Sequence, residues 1–225
     1  MRGSGQIAAG LAPTAKLLPR SFFERDPVVV SRELLGKIVV RRSARGAILA
    51  GRIVETEAYL GVDDAAAHAY AGETERNRVL FGPAGHAYVY FIYGMYYCLN
   101  FSCMKRGEAG CTLIRALEPI AGTEEMLRNR RLGERELTPA LVRSVCSGPG
   151  KLCQALGITR ERDNGKDVCA RESDLRVVED GNVVGRVNAT PRVGISKAAE
   201  RPLRFCVAGS EFLSRREAGV RVGRK

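Results

Sequence analysis

The sequence predicts a mixed α/β fold in one compact domain, on three observations. Apolar runs of strand length recur from about residue 37 to residue 207, and segments with helix-type starts are interspersed among them. No repeat or low-complexity linker divides the 225 residues, a length that can bury a real core. With 45% hydrophobic and 27% charged residues, the composition is that of a globular chain.

Residues 1–16 are rich in Gly and Ala without periodicity and read as a flexible tail. Asp26-Pro27 is a helix start, and the helix runs to Leu35 before Gly36. Strands are expected at 37–42 and 47–59. In the second, plain alternation places Leu49, Gly51, Ile53, Glu55, Glu57 and Tyr59 on one face. A short Ala-rich helix is expected at 62–70, carrying His68. Apolar aromatic strands at 87–93 and 95–101 meet at Gly94, and a buried strand at 111–117 ends at Glu118-Pro119. Helices follow at 123–131, 139–145 and 149–156, then strands at 175–178, 183–187, 192–195 and 203–207. The domain proper spans 17–212, with a basic tail over 213–225.

Thirty-six Lys and Arg against 25 acidic residues leave a net charge of +11. Arginine supplies most of that excess, and its planar fork of donors suits phosphate. A nucleic-acid partner fits; so does an Arg-rich codon bias. Seven Cys without any CxxC pair, and only two His, argue against a metal site. Reduced thiols and the lack of a signal peptide point to a reducing compartment. Residues 79–104 carry no charge, yet Gly82-Pro83, several Tyr and Asn100 make buried strands a better reading than a membrane span.

Glu55 and Glu57 on a partly apolar strand face are either an acid–base pair or a structural ion pair with Arg, and alternation does not separate the two carboxylates. Five of the seven Tyr fall at 88, 90, 93, 96 and 97, suited to stacking on a base or to packing a core. Tyr93, just before Gly94, is placed to project from a turn as a wedge in a base stack. The Ser147-Gly148-Pro149-Gly150-Lys151 segment lacks the P-loop pattern but opens a helix.

Gly51-Arg52-Ile53-Val54-Glu55-Thr56-Glu57-Ala58-Tyr59-Leu60-Gly61, Ala66-Ala67-His68 and Arg76-Asn77-Arg78 resemble the alkyladenine (3-methyladenine) DNA glycosylases. So do Tyr88 through Tyr96 with Asn100, Ile114 through Pro119, Cys146 through Leu156, and Arg201 through Phe205. The resemblance covers residues 20 to about 210. It implies a curved antiparallel β-sheet flanked by helices, and a monofunctional enzyme without metal or cofactor. It further implies excision of alkylated or deaminated purines from double-stranded DNA. By position it makes Glu57 the base that activates water, and lines the base pocket with Tyr59, His68, Tyr90 and Asn100. It places Tyr93, Met95 and Tyr96 at the intercalating wedge, and Arg76, Asn77 and Arg115 at the DNA phosphates. Glu73 and Glu75 depart from the family pattern. A monomer in the bacterial cytoplasm, associated with the nucleoid, is expected. The rivals are a non-catalytic binder of distorted DNA and a sugar hydrolase. The second is weak, because carboxylates two apart on one strand face project the same way.

Overall fold

In the computed structural model, which describes residues 15–133 and 136–215, every strand pairing is antiparallel. The strands are β1 (Lys16–Leu17), β2 (Ile38–Arg42), β3 (Ile48–Tyr59), β4 (Ala87–Ile92), β5 (Tyr96–Ser102), β6 (Cys111–Ala121), β7 (Leu175–Glu179), β8 (Val187–Thr190) and β9 (Arg204–Val207). The helices are α1 (Arg20–Phe23), α2 (Pro27–Glu33), α3 (Thr123–Asn129), α4 (Pro139–Val145), α5 (Pro149–Leu156) and α6 (Arg160–Asp163). Sheet order is β1-β7-β2-β3-β6-β5-β4, with β9 paired to β3 and β8 to β9. The sheet curls into a half-barrel, as the expected curved antiparallel sheet requires.

Local chemistry explains the helix starts. The Asp26 carboxylate accepts from the Val28 amide at 2.7 Å, with Pro27 at the first helical position. Thr138 caps α4 in the same way, through the Leu141 amide at 3.2 Å. The main core lies between the sheet and its helices. Val30 and Leu34, Met126 and Leu127, and Leu152 and Leu156 pack with Leu49, Ile53, Leu99, Ile114 and Leu117. The uncharged run at 79–104 folds as the β4–β5 hairpin and its flanking turns, and no helix among the described residues is long and apolar enough to cross a membrane.

Four sequence expectations are corrected. Strand β3 does not alternate throughout: its register against β6 shifts between Ile53 and Glu55 and again before Thr56. This bulge resets the faces. Leu49 and Ile53 join the main core, and so does Ala58, five residues beyond Ile53, while the Thr56 hydroxyl bonds the Ser31 carbonyl of α2 at 2.8 Å. Glu55, Glu57 and Tyr59 are therefore turned to the side opposite Leu49 and Ile53. At the same point one edge of β3 passes from β2, paired over 48–52, to β9, paired over 55–57.

The helix expected at 62–70 is instead a 3₁₀ turn (Gly61–Asp63) followed by turns closed by i→i+3 bonds, such as Ala67 N–H to Asp64 and Tyr70 N–H to Ala67. Asp64, expected near its start, bonds the amides of Leu60 and Ala66 and the Arg192 guanidinium. Strand β6 continues through Glu118-Pro119 to Ala121, because Pro119 faces Gly51 at a register shift where no ladder donor is required. Finally, 183–187 and 192–195 are not strands. Pairing begins at Val187 and ends at Thr190, and the Val193 amide is spent on a side chain. The short elements β1, α1 and α6 have too few residues to show a period in the sequence.

Lys16 already pairs with Glu179, and residues 1–14 of the expected N-terminal tail lie outside the described residues. At the other end Ser214 and Arg215 are bonded to the sheet; the remainder of the basic tail, 216–225, lies outside the described residues.

Candidate active site

Strand β3 delivers two carboxylates to one place, and the bulge decides which way they face. Both are fully buried, and their partners differ. Glu55 Oε1 accepts from Arg115 Nε at 2.9 Å, Arg204 Nε at 2.7 Å and the Ser214 hydroxyl at 2.7 Å. Its Oε2 accepts the Ser214 amide at 2.6 Å. Glu55 is thus enclosed by two guanidiniums and the C-terminal segment, which is what a structural ion-pair role demands.

Glu57 Oε1 accepts from the Val193 amide at 2.7 Å and faces Arg115 Nη1 at 3.1 Å, while Oε2 accepts from the Tyr59 hydroxyl at 2.9 Å. Burial pushes its pKa above the ordinary carboxylate value, and Arg115, the Val193 amide and the Tyr59 hydroxyl offset part of that rise. Burial and the neighbouring Glu57 charge raise the Tyr59 phenol well above its usual range, so it stays a donor. The Arg192 guanidinium lies 4.6 Å from the centre of the Tyr59 ring and is itself fixed by a two-point ion pair with Asp64.

All three groups that hold Glu57, namely Val193, Tyr59 and Arg115, lie in the wall of a cavity of about 230 Å³. Tyr90, Tyr93, Tyr96 and Gly150 line the same cavity. A second cavity, of about 160 Å³, adjoins it and shares Tyr59, Tyr90, Ile92 and Ile195. Its other walls include His68, Tyr88 and Asn100.

The aromatic wall is tied together. The His68 ring meets Tyr90 edge-on at 4.5 Å, and its Nδ1 is 2.8 Å from the Tyr88 hydroxyl. Desolvation and the nearby Arg76 charge lower the His68 pKa, which favours the neutral imidazole. Asn100 is buried and donates to the Tyr88 carbonyl at 3.0 Å across the hairpin.

The family model described as methylpurine-DNA glycosylase matches residues 21–211. The chain belongs to the methylpurine-DNA glycosylase family. A Koribacter versatilis (strain Ellin345) protein is 60% identical over 206 residues, covering 92% of this chain and 95% of its own. A Methanocella arvoryzae protein is 48% identical over 206 residues, covering 90% and 98%. Each is named as a provisional 3-methyladenine DNA glycosylase. This chain is accordingly a DNA glycosylase, a hydrolase of N-glycosyl bonds, and DNA is its partner.

The glycosylase structure brings Glu57, Tyr59, His68, Tyr90, Asn100 and Arg115 together around the two cavities. It separates the residues expected at the wedge. Tyr93 and Met95 are 76% and 63% exposed at the hairpin tip, Tyr93 also bordering the larger cavity, whereas Tyr96 is half-buried in its wall. A Cβ placed on Gly150 would lie 2.9 Å from the Tyr96 ring, so Gly150 is what lets that ring lie against α5. The phosphate group divides in the same way. Arg76 is exposed, but Arg115 is buried between the two carboxylates. Asn77 is buried with its amide consumed internally, donating to the His68 and Gly72 carbonyls at 2.9 and 3.0 Å and accepting from the Thr74 amide at 2.6 Å. Its geometry fits it to shape the His68 loop.

The segment 192–195, expected as a strand, instead supplies Arg192 behind Tyr59, the Val193 amide to Glu57 and Ile195 to both cavities. Gly194, at φ 78°, was its one irregular signal. Tyr88, noted only as part of the tyrosine cluster, anchors His68. Burial raises the Cys98 and Cys111 thiols at the cavities, so neither is a ready nucleophile.

Proposed function

We propose that this glycosylase excises alkylated or deaminated purines of the 3-methyladenine, 7-methylguanine, hypoxanthine and ethenoadenine class from duplex DNA, with Glu57 as the base that activates water. The observation that carries this reading is the contrast between the two carboxylates. Glu55 is enclosed by two guanidiniums and the segment after β9, and Glu57 lies behind a cavity whose wall includes its three partners, Val193, Tyr59 and Arg115. The names of the similar proteins agree on 3-methyladenine.

In this mechanism the Arg-rich surface, with Arg76 on the rim, engages phosphates while Tyr93 and Met95 enter the stack vacated by the lesion nucleotide. The extruded purine lies between Tyr90 with His68 on one side and Tyr59 on the other, next to Asn100. Stacking is worth about 1–3 kcal/mol per base, which offsets much of the unstacking cost. Water oxygen then bonds to C1′ as the glycosidic C–N bond breaks, the bond electrons leave with the base, and Glu57 takes the water proton. Arg115 favours the ionised form of Glu57 for that step, offsetting part of the effect of burial. A positioned general base contributes on the order of 10²–10⁴ in rate. Cationic bases such as 3-methyladenine depart as neutral molecules; hypoxanthine must first gain a proton. The protein acts as a monomer, at the nucleoid of a bacterial cytoplasm.

The test is release of 3-methyladenine, hypoxanthine and 1,N6-ethenoadenine from duplex DNA under single-turnover conditions. Glu57→Gln is expected to retain lesion binding and lose excision by about 10² or more. Full turnover in that variant refutes the base assignment. Binding of every lesion with release of none, in the wild-type protein, supports the non-catalytic reading instead.

A further inference from the structure

We infer that Ser214, in the C-terminal segment after β9, is a positioning residue for excision: it fixes the plane of Arg115 and thereby the contact between Arg115 and Glu57. The inference rests on Glu57 being the base and adds to that reading.

Arg115 uses three nitrogens on three different partners. Nε donates to Glu55 at 2.9 Å, Nη1 faces Glu57 at 3.1 Å, and Nη2 donates to the Ser214 hydroxyl at 3.2 Å. The same hydroxyl donates to Glu55 at 2.7 Å, and the Ser214 amide caps the other Glu55 oxygen at 2.6 Å. One residue therefore closes a ring through Glu55 and Arg115 and donates to both Glu55 oxygens. The segment is itself held in place, because Arg204, paired across from Glu57 on β9, donates from Nη2 to the Arg215 carbonyl at 2.7 Å.

Two carboxylates and two guanidiniums meet here, nearly all withdrawn from water, so the partition of Arg115 between Glu55 and Glu57 is decided by hydrogen bonds and not by solvent. Without the Ser214 hydroxyl, Arg115 Nη2 loses its acceptor and Glu55 Oε1 loses a donor. The guanidinium is then free to rotate about its Glu55 contact, and the 3.1 Å approach to Glu57 weakens. The charged and titratable groups around Glu57 are Arg115 on β6, Glu55 and Tyr59 on β3, Arg204 on β9, Arg192 in the loop after β8 and Cys98 on β5. Of these, Arg115 is the one that Ser214 touches together with Glu55.

The experiment uses the full chain and duplex DNA carrying hypoxanthine. Ser214→Ala is expected to slow single-turnover excision by about tenfold, the scale of one hydrogen bond to a charged group, with lesion affinity unchanged. The acid limb of its pH–rate profile is expected to move to higher pH, and Ser214→Thr, which keeps the hydroxyl, is expected to restore both. A wild-type rate and acid limb in Ser214→Ala overturn the inference. So does a slower rate with an unmoved acid limb, which marks general loosening. Glu57→Gln runs in parallel. If it is inactive and Ser214→Ala behaves as wild type, the Ser214 role alone fails; if it is active, the base reading fails and the Ser214 role with it.

Discussion

At Glu57 burial and charge pull against each other, and the sign of the result has a consequence for stability. Burial raises its folded-state pKa above the ordinary carboxylate value. Below that ordinary value, about 4.3, Glu57 is protonated in both folded and unfolded chains and no charge is buried. As pH rises the unfolded chain ionises first, so folding loses free energy until the folded pKa is passed. Glu57→Gln has no such titration. Its stability relative to wild type is therefore expected to improve between pH 4 and pH 8, measured by urea or thermal unfolding. A variant that falls further behind wild type at pH 8 would show that Arg115, the Val193 amide and Tyr59 outweigh burial. The same balance fits the proposed role: a carboxylate that is costly to keep charged has a reason to accept a proton.

The β4–β5 hairpin shows a comparable trade at the scale of an element. Its turn holds Tyr93 at φ 54° and Gly94 at φ 68°, and the Met95 amide bonds the Ile92 carbonyl at 3.3 Å. Two successive positive φ values are the hairpin geometry that best matches strand twist, and Asn-Gly is its preferred dipeptide. A tyrosine in the first position is strained by about 1 kcal/mol or more. Under the proposed function, its exposed ring at the tip gives that strain a use. Tyr93→Asn is expected to raise the melting temperature by about 2–4 °C, the shift that relief of about 1 kcal/mol gives in a chain of this size, while lowering excision from duplex DNA. Calorimetry and a single-turnover assay on one preparation check both halves. A lower melting temperature would sink the strain argument.

For the whole molecule the governing quantity is charge. A net charge of +11 makes DNA association an exchange of condensed counterions for Lys and Arg. Arg76 is exposed on the loop between His68 and β4, in the stretch where Glu73 and Glu75 reduce the local positive charge. Arg76→Ala is expected to weaken binding about equally for damaged and undamaged duplexes and to flatten the log Kd against log salt slope by about one. A loss confined to lesion-bearing DNA would place Arg76 in base recognition, beside the His68 and Tyr88 that it influences.

Much of the fold is legible in the sequence where the signal is local. The Asp26-Pro27 helix start, the apolar runs of β4, β5 and β6, and the Tyr93-Gly94 turn need only neighbours in the chain to be read. The motifs shared with the family were readable for the same reason, being contiguous. The bulge in β3 was not. Nothing within 53–56 announces it, because it arises where one strand edge exchanges β2 for β9, a partner some 150 residues away in the chain. Segment 192–195 escapes a sequence reading because its Val193 amide is held by the buried Glu57 and its Arg192 side chain by the buried Asp64, and not by a ladder.

The sequence by itself determined the class of fold, the net positive charge and the pair of glutamates, since propensity, charge and spacing are properties of the chain. Only the tertiary structure decided what each glutamate touches. Equivalent in composition and two residues apart, Glu55 and Glu57 are told apart by Arg204 and Ser214 around one, and by Tyr59, Val193 and an adjoining cavity around the other. A carboxylate's chemistry depends on its partners and its access to water, and both are set by residues distant in sequence.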